Sequence, residues 1–276
     1  MRQLQPILIA GHFPPVREAL VSLLRGLQPS EWNTQTTVAG WSVKDIAGHL
    51  LKGDLGVLSR RRDGYSMPGI SISGWKDLVE FINNLNATWV QASRILSPQV
   101  LCDALQWTGT QVEEFFAPLD PYAPGVPVDW AGPAPAPNWM DVAREYTERW
   151  HHQQQIRDAV GQPGLKEKKF FAPVIDTFVR ALPHGFRNVA AADGAVVEVK
   201  VSGESGGEWF LVREGATWGL FLGVAGTPAA RITMDQDDAW RLFTKGLKGE
   251  AARTRVKQEG DPALCAAALH TLAIIG

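Results

Sequence analysis

The chain has 276 residues, of which 45% are hydrophobic and 20% are charged, and its formal net charge is −2. This composition is typical of a soluble globular protein with enough residues for two domains, and the charge balance excludes the basic surface of a protein that binds nucleic acid or an anionic membrane. No apolar run approaches the roughly 18–20 residues that cross a bilayer. The N-terminal apolar stretch is too short for a secretion signal. Because Cys102 and Cys265 show no metal or redox spacing, the sequence predicts a reduced, cytoplasmic protein.

The first half of the chain has the apolar spacing of helices. It predicts helices over residues 15–25, 42–62, 77–96 and 141–160. Ser42 is the predicted N-cap of the second helix, with Asp45 completing a capping box. The segment 118–137 is rich in Pro, Ala and Gly and predicts a long loop. Four principal helices predict a four-helix bundle.

The pattern changes after residue 164. A further helix over 170–182 precedes four runs with strand character, and helices over 235–245 and 262–275 follow them. The predicted strands cover residues 195–201, 208–213, 217–222 and 230–234. The expected fold class is therefore α+β with two domains. Residues 1–163 form the helical bundle, and residues 164–276 form a small α/β domain with a mainly antiparallel sheet and helices on one face.

Two candidate metal ligands lie on the fourth helix. Glu148 and His152 are four residues apart, so they project from the same helix face. A helical wheel places His152 nearer to the apolar face than His151, which is expected at solvent or at the rim of the site. His49 flanks the apolar stripe of the second helix. Two histidines and a carboxylate with an open position form a known catalytic zinc arrangement, although nickel and iron also accept these ligands.

Each of these signals has an ordinary alternative. A Glu-x-x-x-His pair on one helix is most often an exposed contact between side chains. A single histidine beside an apolar stripe, such as His49, is most often a structural residue. The sequence pattern alone leaves a bundle without metal open.

A family resemblance strengthens the metal interpretation. The segment Gly40-Trp-Ser-Val-Lys-Asp-Ile-Ala-Gly-His-Leu50 resembles the N-terminal metal motif of mycothiol-dependent maleylpyruvate isomerases, which belong to the DinB-like superfamily of metal-binding four-helix bundles. Residues 148–155 match the second motif of that family, Glu-x-x-x-His-x-x-Asp. The resemblance implies that His49, Glu148 and His152 bind a divalent metal, usually zinc, through which they serve catalysis. Gln155 stands where the family usually has Asp, so the group that orients the ligating histidine is expected to be neutral here. Gln155 and His151 are the residues expected next to the ligands.

The C-terminal part resembles the small domain of the same family, which is similar to sterol carrier protein 2. The segment 235–246 resembles the helix that follows the last strand of that domain. Lys245-Gly246-Leu247 replaces the Gly-Arg that often ends the helix. Arg231 and Arg241 are therefore the remaining candidates for the arginine that recognises an anionic substrate or cosubstrate.

The resemblance implies a metal-dependent thiol transferase or isomerase. It would activate a low-molecular-weight thiol of the mycothiol or bacillithiol type for addition to a small electrophile such as maleylpyruvate. Neither cysteine lies in the motifs, so the reactive sulfur is expected to come from the cosubstrate. The expected partners are small molecules, without nucleic acid or membrane, and the expected assembly is a monomer or homodimer. The alternatives are a non-catalytic metal-containing protein that binds a small molecule or lipid, and a metal-dependent hydrolase that uses bound water.

Overall fold

The computed structural model describes residues 1–223 and 226–275. Its contacts divide the chain into two compact units. The helical unit contains Ile9–Pro121 and Glu145–Leu165, and the sheet unit contains Met1–Leu8, Tyr122–Arg144 and Lys166–Ile274. The predicted division into domains of residues 1–163 and 164–276 stays a prediction.

The helical unit is built from five helices. They are α1 (Phe13–Gly26), α2 (Val43–Val57), α3 (Trp75–Ser93), α4 (Pro98–Phe116) and α5 (Asn138–Val160), of which α5 enters this unit at Glu145. A π-helical turn, Leu58–Arg62, continues α2, and short 3-10 turns cover Ala10–His12 and Glu31–Asn33. Its core includes the buried side chains of Leu20, Leu24, Ile46, Leu50, Leu101, Leu105 and Ile156. Each helix therefore buries the apolar stripe that its sequence spacing indicates.

Helix α4 is absent from the sequence-based expectation. Pro98 follows the third predicted helix, residues 77–96, and opens a new helix. The Ser97 hydroxyl accepts a hydrogen bond from the Val100 backbone N–H at 3.2 Å, which makes Ser97 the N-cap. Proline is tolerated at the first helical position because an N–H there has no intrahelical partner. Helix α4 packs against α1 and α2, so it is an integral part of the bundle.

The sheet unit contains a six-stranded sheet. Its strands are β1 (Arg2–Gln3), β4 (Val196–Ser202), β5 (Gly207–Glu214), β6 (Thr217–Leu222), β7 (Ala230–Asp235) and β8 (Lys257–Gly260). Their order across the sheet is β1-β6-β5-β4-β7-β8. Its helices are α6 (Lys168–Val179), α7 (Leu182–Gly185), α8 (Gln236–Phe243), α9 (Gly249–Arg255) and α10 (Pro262–Leu269). The β4–β7 pair is parallel and the other pairs are antiparallel. The predicted fold class, α+β with a mainly antiparallel sheet, is confirmed.

The sequence predicts only a loop over residues 118–137, but the structure also has two short strands there. Its strands β2 (Pro124–Pro127) and β3 (Pro135–Pro137) pair as a separate antiparallel ribbon. Strands this short and rich in proline carry no alternating pattern that a sequence could show.

One face of the main sheet is covered. Val197, Val199 and Val201 of β4 are buried. On the other face Lys200 is exposed, and Glu198 is buried beside its ion-pair partner Arg231. Helices α8 and α10 pack against β7. This alternation is typical of a sheet with helices on one side. No helix within the described ranges has the length and apolar character needed to cross a membrane.

A buried ion cluster connects three helices of the helical unit. Arg149 of α5 donates to the Asp54 carboxylate of α2 at 2.6 Å and to the Glu145 carboxylate at 2.7 Å. The Thr108 hydroxyl of α4 donates to the second oxygen of Asp54 at 2.9 Å. Burial raises the pKa of Asp54, and the bonds from Arg149 and Thr108 oppose that rise. The cluster fixes α2 and α5 in register because each charge depends on the others for its compensation.

We expect Arg149→Met to lower the free energy of unfolding by about 3–5 kcal/mol, because it leaves a buried carboxylate without its counter-charge. Chemical denaturation followed by circular dichroism measures this difference. Arg25→Met is the matched control, since Arg25 forms an exposed pair with Asp103 at 3.1 Å, and it is expected to change stability by less than about 1 kcal/mol. Equal losses in the two variants would contradict the role assigned to the cluster.

Candidate metal centre

The start of α2 is firmly fixed, and this sets the position of His49. The Ser42 N–H donates to Asp45 Oδ2 at 2.9 Å, and the Asp45 N–H donates to the Ser42 hydroxyl at 3.3 Å. The predicted capping box is thus confirmed. Burial alone would raise the pKa of Asp45, but hydrogen bonds from Arg94 and Ser42 outweigh it and the pKa lies below its ordinary value. The first turn of α2 is therefore held by a charged carboxylate.

Gly48 brings α3 close to α2 next to His49. A Cβ atom at residue 48 would overlap the Ser93 hydroxyl of α3. The Trp89 indole N–H donates to the Gly48 carbonyl at 2.8 Å. Only glycine permits this approach of the two helices. The distance between α2 and α3 next to His49 is therefore set by contacts of Ser93 and Trp89 with the backbone of Gly48.

His49 has a buried polar atom without a partner. Its Nδ1 is inaccessible to solvent and makes no hydrogen bond. Burial, followed by the neighbouring charge of His152, lowers the pKa of His49 well below its ordinary value. An unpaired buried nitrogen is costly, and a neutral imidazole nitrogen is a good ligand for divalent transition metals. The environment of His49 therefore fits a metal ligand.

Glu148 and His152 of α5 lie opposite His49. The Glu148 Oε2 atom is 3.4 Å from His152 Nε2, and the ring centroids of His49 and His152 are 4.6 Å apart. One ligand atom from each of the three residues lies within 4.8 Å of the other two. Across the described part of the chain, this is the one group of three or more potential ligands of this kind. The residues predicted as ligands are brought together by two different helices.

His151 is buried, which corrects the helical-wheel expectation that it meets solvent or the rim of the site. A helical wheel identifies the buried face of a helix from its apolar residues alone, but this part of α5 also buries polar side chains. Gln153, Gln154 and Gln155 are all buried. A polar helix surrounded by protein on most sides has no solvent face for the wheel to identify.

Gln155 links the two adjacent histidines. Its Oε1 is 2.8 Å from His152 Nδ1, and its Nε2 is 3.1 Å from His151 Nε2. An amide oxygen only accepts hydrogen bonds, so in this arrangement His152 donates from Nδ1, and Nε2, the atom nearest Glu148, is the nitrogen that remains for a metal. The amide nitrogen only donates, so His151 Nε2 accepts. Burial lowers the pKa of His151 well below its ordinary value, which keeps it in this accepting form.

The two arginines named as anion-binding candidates lie in the sheet unit. Arg231 on β7 donates from Nε to Glu198 of β4 at 2.8 Å, and Arg241 on α8 lies over the Trp240 ring at 4.5 Å and 3.7 Å from Asp237. Both guanidinium groups have carboxylate partners, and their assignment to substrate binding stays a prediction.

The helical part of the chain matches a known protein family. The family model described as the mycothiol maleylpyruvate isomerase N-terminal domain matches residues 13–157. None of the curated proteins matches the sequence.

Solved structures are similar to the chain in fold. The crystal structure of mycothiol-dependent maleylpyruvate isomerase matches with a TM-score of 0.56 and 9% identity over 91% of each chain. A histidine-to-alanine mutant of that isomerase gives 0.55, again at 9% identity over 91% of each chain. At this identity the likeness shows the fold alone. A sterol carrier protein 2-like protein from Aedes aegypti aligns with 36% of this chain and 95% of its own, with a TM-score of 0.28 and 17% identity.

We expect His49→Ala to abolish metal binding without unfolding the protein, because the remaining pair on α5 offers two ligands instead of three. Elemental analysis of the purified variant measures this. His270→Ala is the control, since His270 follows α10 in the sheet unit, and it should retain the metal content of the wild type. Full retention of metal in His49→Ala would refute the assignment.

We expect Gln155→Leu to weaken metal affinity about 10–100-fold, because His152 loses the acceptor that fixes its tautomer. Competition with a chromophoric chelator measures the affinity. Gln99→Leu is the matched control, since Gln99 is exposed on α4. Unchanged affinity in Gln155→Leu would show that the amide does not position His152.

Proposed function

The chain belongs to the family of the mycothiol maleylpyruvate isomerase N-terminal domain, and we propose on this basis that it is a divalent-metal-dependent thiol transferase or isomerase. Its proposed cosubstrate is a low-molecular-weight thiol of the mycothiol or bacillithiol type. Its proposed substrate is a small electrophile similar to maleylpyruvate. Zinc is the preferred metal for two imidazoles and a carboxylate, and nickel or iron also accept this set.

The observation that carries the proposal is the convergence of His49, Glu148 and His152 within 4.8 Å. Three protein ligands are typical of catalytic zinc sites, whereas structural sites are closed by four. No fourth residue of a metal-binding type joins the group among the residues that the structure describes. The set therefore supports a site with a position open to a small molecule.

The chemistry divides between the metal and the chain. When bound, a divalent ion lowers the pKa of a coordinated thiol and makes a thiolate available at neutral pH. Glu148 would give the ion a carboxylate oxygen, and His49 and His152 would each give it an imidazole nitrogen. Gln155 accepts a hydrogen bond from His152 Nδ1 and so leaves Nε2 for the ion. By holding the ion, these residues would fix the position of the reacting sulfur, which is the principal requirement for addition to an electrophile.

The reacting sulfur is proposed to come from the cosubstrate. Burial raises the pKa of both Cys102 and Cys265. Cys102 lies in the core of the helical unit, and Cys265 lies on α10 of the sheet unit. A buried cysteine with a raised pKa is a poor nucleophile, so neither residue is suited to the reaction.

A rival function, binding of a small apolar molecule without catalysis, has one feature in its favour. The sheet unit contains an open cavity of about 230 Å³ lined by Leu4, Trp139, Met140, Arg180, Pro183 and Leu220. Apolar walls with one charged group are typical of small-molecule sites. In this alternative the metal would be structural and its coordination would not respond to a thiol.

We expect a thiol titration of the cobalt-substituted protein to produce a sulfur-to-cobalt charge-transfer band and to change the visible spectrum. The reason is that three protein ligands leave a position that sulfur can occupy. His49→Ala, treated in parallel, should show neither change. Stoichiometric cobalt with a spectrum that does not respond to thiol would overturn the catalytic proposal and favour a structural metal.

A further inference from the structure

Lys52 carries a positive charge on the helix that holds His49, in addition to the charge that a bound metal ion would contribute. It lies three residues after His49 on α2, so the two side chains share a face of the helix. The ammonium is partly buried and donates to the Asn86 side-chain oxygen of α3 at 2.5 Å. In the part of the chain that the structure describes, Lys52 forms no ion pair with a carboxylate. Its one protein partner is neutral, which leaves N–H donors available.

The charge of Lys52 acts on the ligands directly. It is among the charges that lower the pKa of His49, after burial and His152. The pKa of Lys52 is itself lowered, chiefly by burial and then by Arg60, while Glu148 and Glu145 act in the opposite direction. The Lys52 charge is therefore within electrostatic range of His49 and Glu148, and it forms a bond with neither. Desolvating a charge without an ionic partner is costly, which is typical of a functional position rather than a structural one.

The carboxylates nearest to Lys52 have other partners. Glu145 accepts a hydrogen bond from Arg149 at 2.7 Å, and that arginine bonds Asp54 as well. Glu148 Oε2 lies 3.4 Å from His152 Nε2. The Lys52 ammonium therefore keeps N–H groups that can bind an anion on the helix face that carries His49.

We propose that Lys52 is the residue that binds a carboxylate of the electrophilic substrate. The inference rests on the proposed function, because it places the substrate beside the open metal position. A single ammonium with free N–H groups suits one carboxylate group. The alternative is that Lys52 only joins α2 to α3 through Asn86, in which case the charge of the substrate would be irrelevant to binding.

Binding of succinate and of its neutral analogue succinamide to the zinc-loaded full chain tests this proposal by calorimetry. The wild type should prefer succinate by about tenfold or more. Lys52→Met should lose about tenfold in succinate affinity and leave succinamide unchanged, and Lys52→Arg should restore part of the loss. Lys44→Met is the matched control, since Lys44 lies on the same helix and donates to the Arg94 carbonyl. It should bind succinate as the wild type does.

The zinc content and thermal melting of every sample are measured first, so that the possible failures are distinct. Wild-type protein without stoichiometric metal would overturn the proposed function and this inference with it. Zinc-loaded Lys52→Met that binds succinate as tightly as the wild type would overturn the inference alone. A purely structural Lys52 would lower the melting temperature in Lys52→Met and leave the succinate preference intact.

A further arm identifies which molecule carries the carboxylate. The titration is repeated with saturating 2-mercaptoethanol, a thiol without a carboxylate. Succinate binding that persists and still depends on Lys52 supports the electrophile as the source. Displacement of succinate by the thiol would overturn that assignment and place the carboxylate on the cosubstrate.

Discussion

The position of the candidate site depends on the buried bridge that Arg149 forms between Asp54 and Glu145. Arg149 follows Glu148 directly on α5, and Asp54 lies on the same helix as His49. A buried guanidinium between two carboxylates tolerates little displacement, because any movement exposes an uncompensated charge to a medium of low dielectric constant. The bridge therefore holds α2 and α5 at the separation at which the three ligand atoms converge. Apolar packing alone would not fix that register so closely, because it is not directional.

At the candidate site, the hydrogen bonding of His151 and His152 depends on the neutral side-chain amide of Gln155. In the family motif an aspartate usually stands where this chain has Gln155. An aspartate would accept a hydrogen bond from His152 but could not donate one to His151. The glutamine does both, so its amide contacts the two adjacent imidazoles with one acceptor and one donor. A neutral group behind a ligating histidine donates less electron density to the metal than a carboxylate does, so the metal here would be a somewhat stronger Lewis acid.

Much of this arrangement was predictable from the sequence, and the failures have clear physical causes. The capping box at Ser42 and Asp45 is a local pattern, so it could be read directly, and the motif around His49 indicated the family that the match over residues 13–157 confirms. The α4 helix was missed although its start at Ser97 and Pro98 is a local pattern, because a proline after a helical run also marks a helix end. The burial of His151 was missed because it depends on which other segments cover it. Lys52 was missed for a similar reason, since a single lysine on a helix usually lies on the solvated face. Its significance arises only from its place beside His49 and Glu148.

The π-helical turn at Leu58–Arg62 has a consequence for how a ligand reaches the site. A π turn takes more residues per turn than an α-helix, so Arg60 returns closer to the face that carries Lys52 than it would in a continuous α-helix. Arg60 is exposed, and its charge acts on Lys52. An exposed cation on the π turn is thus followed by a partly buried one on α2. A negatively charged molecule would meet the exposed charge first, and because salt screens exposed charges most strongly, ionic strength would control the rate of its capture more than the affinity of the final complex.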